Sequence, residues 1–559
     1  RVAGQERVIA VEDAALYRDG LGTALPIGLP HALLEPVPDA LQRLVARYAR
    51  THGPFVLQEV ANRFGVAAAS ASSALEALVR EGRVVIGAFR PGGREIEHCD
   101  RDVLGALRRK ALAALRKEVE AVDHATYARF LLAWQGVGEG RGASSDALLA
   151  AVAQLEGCPI VASTLETEVL PARVPGYRPG DLDELVTAGA VVWAGVGALG
   201  PRDGRVALYL AEHEALLSPP REAQPGGSAH AAIREALDKR GALFFADLAR
   251  LVGTFAPELH DALWDMIWAG EVTNDTLDPL RSLAFGHRAP SRARPLPHAR
   301  GPLAALRGAG VGAPQGRFSL RARRWDRTPS PTEHRAALAQ AMLERYGVVV
   351  RESAQAEGVA SGFGAVYDVL KALEESGRIR RGYFVEGAGG AQFALSEAAD
   401  RLRLERQQGP RALGAPCWLA STDPANPYGA LLPWPSSEGE ARPQRAAGTH
   451  VILAGGRLIA WAGRGASALL TFLPEGEPDR GHAADAIAGT LAAQVDSGAR
   501  RALLLETIDR GPAAGSALGP ALARAGFVLG ARGWMKRRKG RNAMGDDPSD
   551  ELLSEVELG

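Results

Sequence analysis

The chain has 559 residues and a mass of 58.8 kDa, with 46% hydrophobic and 23% charged residues. This composition is typical of a globular protein with several domains and excludes an intrinsically disordered chain. The 65 basic and 65 acidic side chains balance, so any binding of nucleic acid must depend on a local patch of charge. Three widely spaced cysteines, Cys99, Cys158 and Cys417, argue against a disulfide framework or a zinc finger and predict a cytoplasmic protein.

No uninterrupted apolar run is long enough to predict a transmembrane helix, so no membrane partner is expected. The sequence starts at Arg1 with neither an initiator methionine nor a signal-peptide pattern. We therefore expect the chain to be a piece of a longer polypeptide.

Four stretches of the chain share one pattern, in which a helical segment ends at a glycine and a β-branched residue follows two positions later. The pattern occurs at Gly82 and Val84, Gly189 and Val191, Gly270 and Val272, and Gly377 and Ile379. Apolar residues before each glycine recur at helical spacing, and a left-handed glycine ends a helix at little cost. Each stretch predicts the last helix of a module, followed by the first strand of a hairpin.

Two further helical segments precede each of these stretches. The resulting order of helix, short strand, helix, turn, helix and hairpin is that of a winged helix, which is a helix-turn-helix followed by a wing. The predicted winged-helix modules are residues 39–96, 144–217, 228–287 and 331–405. The alternative is a generic α+β solenoid with no role in nucleic-acid binding.

The remaining segments differ in composition. Residues 1–38 are a lead-in, and residues 97–143 are a basic helical segment that forms either a fifth winged helix or a link between modules. Eleven arginines and one acid lie between positions 281 and 327, which predicts an Arg/Pro-rich basic strap at 288–330. Short apolar runs predict a β-rich, barrel-like α/β module at 410–541, and residues 542–559 form an acidic tail. The expected fold class is thus a helix-dominated α+β protein with tandem winged helices and a β-rich C-terminal module.

The sequence lacks the motifs that carry common enzyme chemistry. It has no GxxxxGK[ST] loop for nucleotide phosphates, no HExxH and no GxSxG. No histidines or cysteines have metal-ligand spacing, so we assign no metal and no cofactor. Catalytic residues remain unknown, and the sequence alone leaves open whether this chain is an enzyme.

Arginines are placed where a winged helix would contact nucleic acid, because its third helix and its wing lie against the phosphates. Arg83 and Arg90 flank the first wing. The further candidates are Arg108 and Arg109 on a basic helix, Arg321, Arg323 and Arg324 beside Trp325, and Arg378, Arg380 and Arg381 at the start of the fourth wing. The module at 228–287 is acidic instead, and it is predicted to be a spacer or a self-association surface.

Several long blocks of the chain resemble the C-terminal region of the large helicase-related proteins called Lhr. They are residues 346–395 (YGVVVRESAQAEGVASGFGAVYDVLKALEESGRIRRGYFVEGAGGAQFAL), 421–435 (STDPANPYGALLPWP), 170–195 (LPARVPGYRPGDLDELVTAGAVVWAG) and 12–26 (EDAALYRDGLGTALP). The resemblance implies a bacterial DNA-repair helicase whose ATP-dependent motor precedes this region in the same polypeptide. It also implies single-stranded or duplex DNA as the partner and self-association into a homo-oligomer, as a tetramer.

Parts of the winged-helix array also resemble the AlkZ class of DNA glycosylases, which implies that the chain could excise uracil or alkylated bases. Enzymes of that class use a Gln-x-Gln or Gln-x-Asp pair. Here Gln135 has no second polar partner at that spacing, and Gln154 with Glu156 has the spacing at a helix end. The expected function is a nucleic-acid-binding and oligomerisation region of a repair helicase. The alternatives are a DNA glycosylase and an oligomerisation scaffold without DNA contact.

Overall fold

The computed structural model divides into two compact units, Arg1–Val119 and Glu120–Gly559. Within residues 112–117 only the backbone is described. The described residues are 1–538 without 91–94, 118–119, 139–141, 143, 219–223, 286–314, 410–413 and 437–441. The predicted acidic tail, residues 539–541 at the end of the predicted β-rich module and most of the predicted strap lie outside the described residues.

The first unit is built around one winged helix, called the first module (residues 40–100). Val45, Val60 and Leu78 are completely buried in its core. Leu16, from the segment expected as a lead-in, packs into the same core. The elements in chain order are α1 (Ala14–Leu21), α2 (Ala40–Thr51), β1 (Phe55–Val56), α3 (Leu57–Phe64), α4 (Ala68–Arg80), β2 (Val84–Gly87), β3 (Glu97–Asp100) and α5 (Arg101–Lys117).

The wing of the first module extends past the predicted boundary at residue 96. Strand β3 is the centre of the sheet β1-β3-β2, where Phe55 pairs with His98 and Val84 pairs with Asp100. The boundary was wrong because polar side chains in β3 hide its strand character, although Glu97 and Cys99 are buried. Residues 97–100 therefore belong to the first module.

The second unit begins with α6 (His124–Trp134), followed by a winged helix that we call the second module (residues 145–210). A long hairpin, β5–β6, forms its wing. The elements are α7 (Ser145–Leu155), β4 (Ile160–Val161), α8 (Ala162–Thr164) with a π-helical turn (Leu165–Val169), α9 (Pro179–Thr187), β5 (Val191–Gly200), β6 (Asp203–Leu210) and α10 (Glu214–Leu217).

Two more winged helices follow, the third module (residues 228–320) and the fourth module (residues 331–395). The third consists of α11 (Ser228–Arg240), β7 (Leu243–Phe244), α12 (Phe245–Val252), α13 (Ala256–Trp268), β8 (Val272–Asn274), α14 (Asp278–Phe285) and β9 (Arg317–Leu320). The fourth consists of α15 (Pro331–Tyr346), β10 (Val348–Val349), α16 (Arg351–Ala356), α17 (Gly364–Glu375), β11 (Ile379–Gly382) and β12 (Gln392–Leu395), and α18 (Ser396–Gln407) follows it.

All four modules have the same sheet, in which the last strand lies between the other two. The four glycines of the repeated pattern have φ angles of 71°, 76°, 68° and 78°, so each adopts the left-handed conformation that the sequence predicts. The β-branched residue two positions later is the first residue of β2, β5, β8 and β11. The expectation of tandem winged helices is confirmed.

The segment at 97–143 forms no fifth winged helix among the described residues. After β3 it supplies α5 and α6, and neither helix is followed by a sheet of its own. Helix α6 packs instead on the fourth module, where Phe130 and Trp134 lie against Gly347. Val122, just before α6, also forms a bridge with Val385, so the chain leading into α6 is tied to the fourth wing.

The prediction of a strap at 288–330 is wrong for part of the residues that the structure describes there, because they form a strand. Strand β9 lies within it and forms the centre of the third-module sheet, with Leu243 paired to Phe318 and Val272 paired to Leu320. Phe318 is almost completely buried. The high density of arginine concealed this strand, because only alternate residues of β9 face the core.

The C-terminal module (residues 417–537) consists of two sheets with helices packed on them. Its elements are β13 (Cys417–Ala420), β14 (His450–Ala454), β15 (Arg457–Ala462), β16 (Ala468–Thr471), α19 (Asp479–Asp496), β17 (Ala502–Leu505), β18 (Thr507–Ile508), β19 (Gly511–Pro512), α20 (Gly519–Arg524), β20 (Val528–Gly530) and β21 (Gly533–Arg537).

The expected barrel is not found among the described residues of this module. The larger sheet has the order β13-β14-β15-β16-β18-β19, so its end strands β13 and β19 are not paired with each other, and β17-β21-β20 forms a separate sheet. Ile487, Leu491 and Val495 lie on the buried face of α19 and pack in one hydrophobic core with residues of the strands. No helix in the described part of the chain is long and apolar enough to cross a membrane.

Candidate nucleic-acid interface

The wing of the fourth module presents the clearest cationic surface of the second unit. Ile379, the first residue of β11, is buried, whereas Arg378 just before the strand and Tyr383 just after it are exposed. Arg380 donates a hydrogen bond of 2.9 Å from its Nη1 atom to Asp400, and the Arg381 guanidinium lies 5.7 Å from the centroid of the Phe393 ring. We call Arg378, Arg380, Arg381 and Tyr383 the fourth-wing patch.

Arg378 differs from Arg380 because its side chain has no ion pair or hydrogen bond within the described residues, and it differs from Arg381 because it has no ring contact there either. It follows Gly377, whose left-handed backbone (φ 78°) turns the chain out of α17. A fully charged, exposed guanidinium next to an exposed tyrosine ring can pair with a phosphate while the ring contacts a base or sugar.

In the first unit, the two wing arginines are already engaged with acids. Arg90 forms ion pairs with the carboxylates of Glu97 and Glu59, and Arg83 lies 3.7 Å from Glu81. The hydrogen bond from Arg90 lowers the pKa of Glu97, and this is the largest of the several effects on that carboxyl. Any phosphate would have to compete with these carboxylates, which weakens Arg90 as a candidate contact.

The basic side chains of helix α5 are less engaged with acids than those of the first wing. Arg108 and Arg109 are exposed next to Lys110, and no ion pair involves them within the described residues. Leu107 is exposed on the same helix, so α5 combines apolar and basic side chains. This helix is the candidate contact surface of the first unit.

The expectation that Arg321 binds nucleic acid is wrong. Its side chain is buried, and it donates to Glu214 at 2.8 Å, to the carbonyl oxygen of Gly270 at 2.9 Å and to the hydroxyl of Ser218 at 2.6 Å. Because every partner is internal, Arg321 anchors β9 to α10 and cannot reach a phosphate in this conformation. A run of arginines in a sequence does not show which member faces inward.

The two neighbours of Arg321 remain at the surface. Arg324 lies 3.3 Å from Glu214 and is about one-third exposed, whereas Arg323 lies 3.5 Å from Asp238 and is half exposed. The cluster predicted beside Trp325 is therefore split between one buried structural residue and two surface residues.

Gln135, the glutamine without a second polar partner at the glycosylase spacing, lies in a buried cluster at the junction of three modules. Gln135 is completely buried; its Oε1 atom accepts from Arg173 at 2.5 Å and its Nε2 atom donates to the carbonyl oxygen of Arg345 at 3.1 Å. Arg173 also forms two hydrogen bonds with Asp423, at 3.0 and 2.8 Å. We call Gln135, Arg173, Arg345 and Asp423 the junction cluster.

Gln154 and Glu156, which have the glycosylase spacing, also form hydrogen bonds within the protein. Gln154 donates to the carbonyl oxygen of Trp134 at 2.8 Å. Glu156 is buried and accepts from the amide of Leu210 at 2.8 Å, with His213 Nδ1 at 3.0 Å. Burial raises the pKa of Glu156 despite these hydrogen bonds. Gln135 and Glu156 are thus buried, and Gln154 is half-buried.

Sequence reasoning missed Arg173, Arg345 and Asp423, which the fold brings together from distant positions. No spacing in the chain signals this cluster, because Arg173 and Asp423 are 250 positions apart. Among the described residues, no group of three or more His, Cys, Asp and Glu side chains could hold a metal ion.

Comparison with family models identifies winged-helix domains in the chain. Three models described as "Large helicase-related protein, winged-helix domain" match residues 122–211, 328–413 and 1–36. The first two contain the second and fourth modules. The third match falls where the sequence predicts a lead-in.

Comparison with known proteins gives long alignments. The chain is 40% identical to "Lhr helicase/ probable uracil glycosylase" of Mycolicibacterium smegmatis over 515 residues, which is 91% of this chain. It is 36% identical to "Lhr helicase/uracil glycosylase" of Escherichia coli over 504 residues, which is 84% of this chain. The chain spans only 34% and 32% of these two relatives, and the matched part is their C-terminal part.

Comparison with solved structures finds the Streptomyces sahachiroi DNA glycosylase AlkZ, at 16% sequence identity and a TM-score of 0.41. The match covers 69% of this chain and 100% of that one. A likeness of this size does not bear on function.

Proposed function

This chain belongs to the large helicase-related protein family, and we propose that it is a C-terminal nucleic-acid-binding and oligomerisation region of an ATP-dependent DNA-repair helicase. The motor lies elsewhere in the same polypeptide, and this region holds single-stranded or duplex DNA near it. Its three cysteines form no disulfide, which agrees with a reducing cytoplasm as its compartment.

The observation that carries this proposal is the fourth-wing patch. It lies on a module that matches the family model, and within it Arg378 is exposed without an ion pair among the described residues. Helix α5, with Arg108 and Arg109, supplies a second cationic surface on the first unit. Both surfaces suit sequence-independent binding, because exposed guanidinium groups pair with the phosphates of any sequence.

The third helices of the fourth and third modules, α17 and α13, are poorly suited to lie in the major groove. Contact through the wings is favoured instead. The exposed side of α17 carries Asp368, Lys371 and Glu375, and Lys371 lies 4.0 Å from Glu375. The exposed side of α13 carries Asp261 and Asp265. Phosphates would be repelled by these carboxylates, so the wings are the favoured contacts.

The test is DNA binding measured as a function of salt concentration, with single-stranded and duplex oligonucleotides. Replacing both Arg378 and Arg381 by Glu should weaken binding and reduce the log–log salt slope by about 0.9 for each phosphate that is no longer neutralised. The matched control reverses Arg524 and Arg532, exposed arginines of the C-terminal module that are paired with Asp485 and Glu506. Equal weakening by the two pairs of reversals would remove the fourth-wing patch from the interface.

A second function, excision of uracil from DNA, is favoured by the printed names of the two relatives. It predicts alkali-labile abasic sites in a uracil-containing strand without added ATP. Helicase action in the parent protein requires ATP, so ATP dependence separates the two activities. No abasic product, together with salt-sensitive DNA retention, would leave the binding function alone.

The expected tetramer stays a prediction. Sedimentation equilibrium should give a mass of several times 58.8 kDa for this chain. An assembly of that mass with no DNA retention would favour the third function, a scaffold without DNA contact.

A further inference from the structure

The wing of the second module is the longest hairpin in the described part of the chain, and its tip is uncovered. Strands β5 and β6 have 10 and 8 residues, and the turn between them is Pro201 and Arg202. Val196 and Leu199, in the outer half of β5, are exposed hydrophobic side chains, and Pro201 is exposed at the turn. We call Val196, Leu199, Pro201, Arg202 and Arg205 the second-wing tip.

The base of this hairpin is fixed against helix α13 of the third module. Gly195 packs on the carbonyl oxygen of Ile267, and Gly204 packs on the ring of Trp268. Both contacts are so close that a methyl group on either glycine would collide with those atoms. Because both strands are held at this level, the tip beyond them projects from a firm support.

Two irregularities in the strand pairing shape the projecting end. The register of β5 against β6 shifts between Gly195 and Gly197 and again between Ala198 and Gly200. Gly197 and Gly200 both have a φ angle of 140°, which glycine adopts without strain. Such irregularities bend a strand, increase its twist and re-aim its side chains. The end of the wing is therefore directed differently from its base.

Two arginines make the second-wing tip cationic. Arg202 and Arg205 are exposed, and neither side chain has an ion pair or a hydrogen bond within the described residues. The only acid between positions 196 and 205 is Asp203. Its carboxylate accepts from the hydroxyl of Ser163 at 2.6 Å and from the amide of Ser163 at 3.2 Å. The two guanidinium groups are thus available to an external anion.

This combination of side chains on a two-stranded ribbon suits the minor groove of duplex DNA. Proteins that bind there place arginines in the groove and insert leucine, proline or another apolar side chain between base steps, which unstacks the bases and kinks the duplex. A purely apolar partner would cover Leu199 but would leave Arg202 and Arg205 without counter-ions. The phosphates on both sides of the groove supply those counter-ions.

We infer that the second-wing tip enters the minor groove of bound duplex DNA, inserts Leu199 between two base pairs and kinks the duplex. Arg202 and Arg205 neutralise phosphates beside the insertion. The inference rests on the proposed function, since the duplex must be bound for the tip to enter it. Because pyrimidine–purine steps unstack at the least cost, a TA step is the expected place of insertion.

The test is the fluorescence of 2-aminopurine at the adenine position of a central TA step, in a short duplex that carries a donor and an acceptor dye at its two ends. The emission of 2-aminopurine rises when the base loses its stacking partner, and energy transfer between the dyes rises when the duplex is kinked. Saturation with the full chain should increase both signals.

Substitutions at the tip separate insertion from phosphate contact. Leu199→Ser should abolish both increases while the duplex is still bound with the same salt slope, whereas Leu199→Met should preserve them because it retains an apolar side chain. The double variant Arg202→Gln with Arg205→Gln should lower the log–log salt slope by about 0.9 for each phosphate contact that is lost.

The matched control is Leu529→Ser. Leu529 lies on strand β20 of the C-terminal module and is 46% exposed, compared with 43% for Leu199. It should leave both fluorescence signals unchanged. Because all substituted side chains are exposed, the unfolding midpoints of the variants should equal that of the unaltered chain, and thermal unfolding checks this.

The outcomes distinguish this inference from the proposed function. Signals that do not rise when the duplex binds, or that rise equally with Leu199→Ser, would overturn the inference while DNA binding stands. A smaller mass in solution for Leu199→Ser, with its 2-aminopurine signal intact, would assign the tip to self-association and also overturn it. No binding to duplex or single-stranded oligonucleotides would contradict the proposed function itself, and the inference with it.

Discussion

Arg173 and Asp423 form a bidentate ion pair with hydrogen bonds of 3.0 and 2.8 Å. Both side chains are buried from solvent. Arg173 lies in the second module, and Asp423 lies in the 421–435 segment of the C-terminal module. The same guanidinium donates to Gln135, and Arg345 of the fourth module donates to the carbonyl oxygen of Glu156. Three modules therefore meet in one network of buried charges.

Removing one charge of this pair should destabilise the second unit strongly. Asp423→Asn leaves the Arg173 guanidinium buried without its counter-ion, which costs about 3–5 kcal/mol. The control Asp485→Asn breaks an exposed pair with Arg524 and should change the stability by at most about 1 kcal/mol. Urea unfolding followed by tryptophan fluorescence measures both. Similar midpoints for the two variants would mean that the buried pair is dispensable.

Substitution of Arg321 should affect stability and not DNA binding, and substitution of Arg378 should do the reverse. Arg321→Ala leaves Glu214 buried with only its weaker contact to Arg324, so the unfolding midpoint should fall while the salt slope of DNA binding is unchanged. Arg378→Ala removes an exposed cation, so the salt slope should fall by about 0.9 with the midpoint unchanged. Fluorescence anisotropy and thermal unfolding on the same samples test both. The reverse pattern would restore Arg321 as a DNA contact.

The start of α15 should give a pH-dependent contribution to stability. Glu333 accepts hydrogen bonds from the Arg327 guanidinium and from Ser330, which lower its pKa to about 2. A carboxyl whose pKa is lowered by folding stabilises the fold above its ordinary pKa, and this contribution is lost as the pH falls through the lowered value. The stability advantage of the unaltered chain over Glu333→Gln should therefore be present at pH 7 and disappear between about pH 4.5 and pH 2.

Urea unfolding at a series of pH values measures this difference. Arg327→Gln serves as the companion variant, because it removes the partner that lowers the pKa most, and it should reproduce part of the same pH dependence. A difference between Glu333→Gln and the unaltered chain that stays constant across the range would contradict this assignment.

Replacement by alanine at two glycines should change the stability of the chain in opposite directions. A methyl group on Gly195 in β5 would collide with the carbonyl oxygen of Ile267 in α13, so Gly195→Ala should destabilise the contact between the second and third modules. Gly489 lies exposed inside α19 with open space around it, so Gly489→Ala should stabilise the chain by about 0.5–1 kcal/mol. Thermal unfolding compares the two. A stable Gly195→Ala protein would show that the two modules can move apart there.

The repeated winged-helix fold could be predicted from the sequence because its signals are local. A glycine such as Gly270, two residues before Val272, ends a helix and begins a strand whatever lies elsewhere in the chain. Strand β9 could not be predicted, since Arg317 opens it and an arginine-rich turn follows it, which masks the buried residue Phe318. The boundary at residue 96 failed for a similar reason, because Glu97 is a buried charge satisfied by Arg90 and by backbone amides.

The candidate site could be predicted only in part. The fourth-wing arginines follow directly from the position of the wing, but burial of Arg321 depends on Glu214, which is 107 positions away. Asp423 lies in a block that resembles the family, yet nothing near it in the chain identifies Arg173 as its partner.

The long separation between Arg173 and Asp423 has a consequence for biosynthesis. At a synthesis rate of about 5–20 residues per second, the 250 positions between them take on the order of 10 to 50 s to translate. Throughout that interval, the nascent second module has a guanidinium without its counter-ion at a surface that is later sealed. The junction cluster is therefore completed only after the C-terminal module has been synthesised, and a chain that stops between the two positions lacks the counter-ion of Arg173.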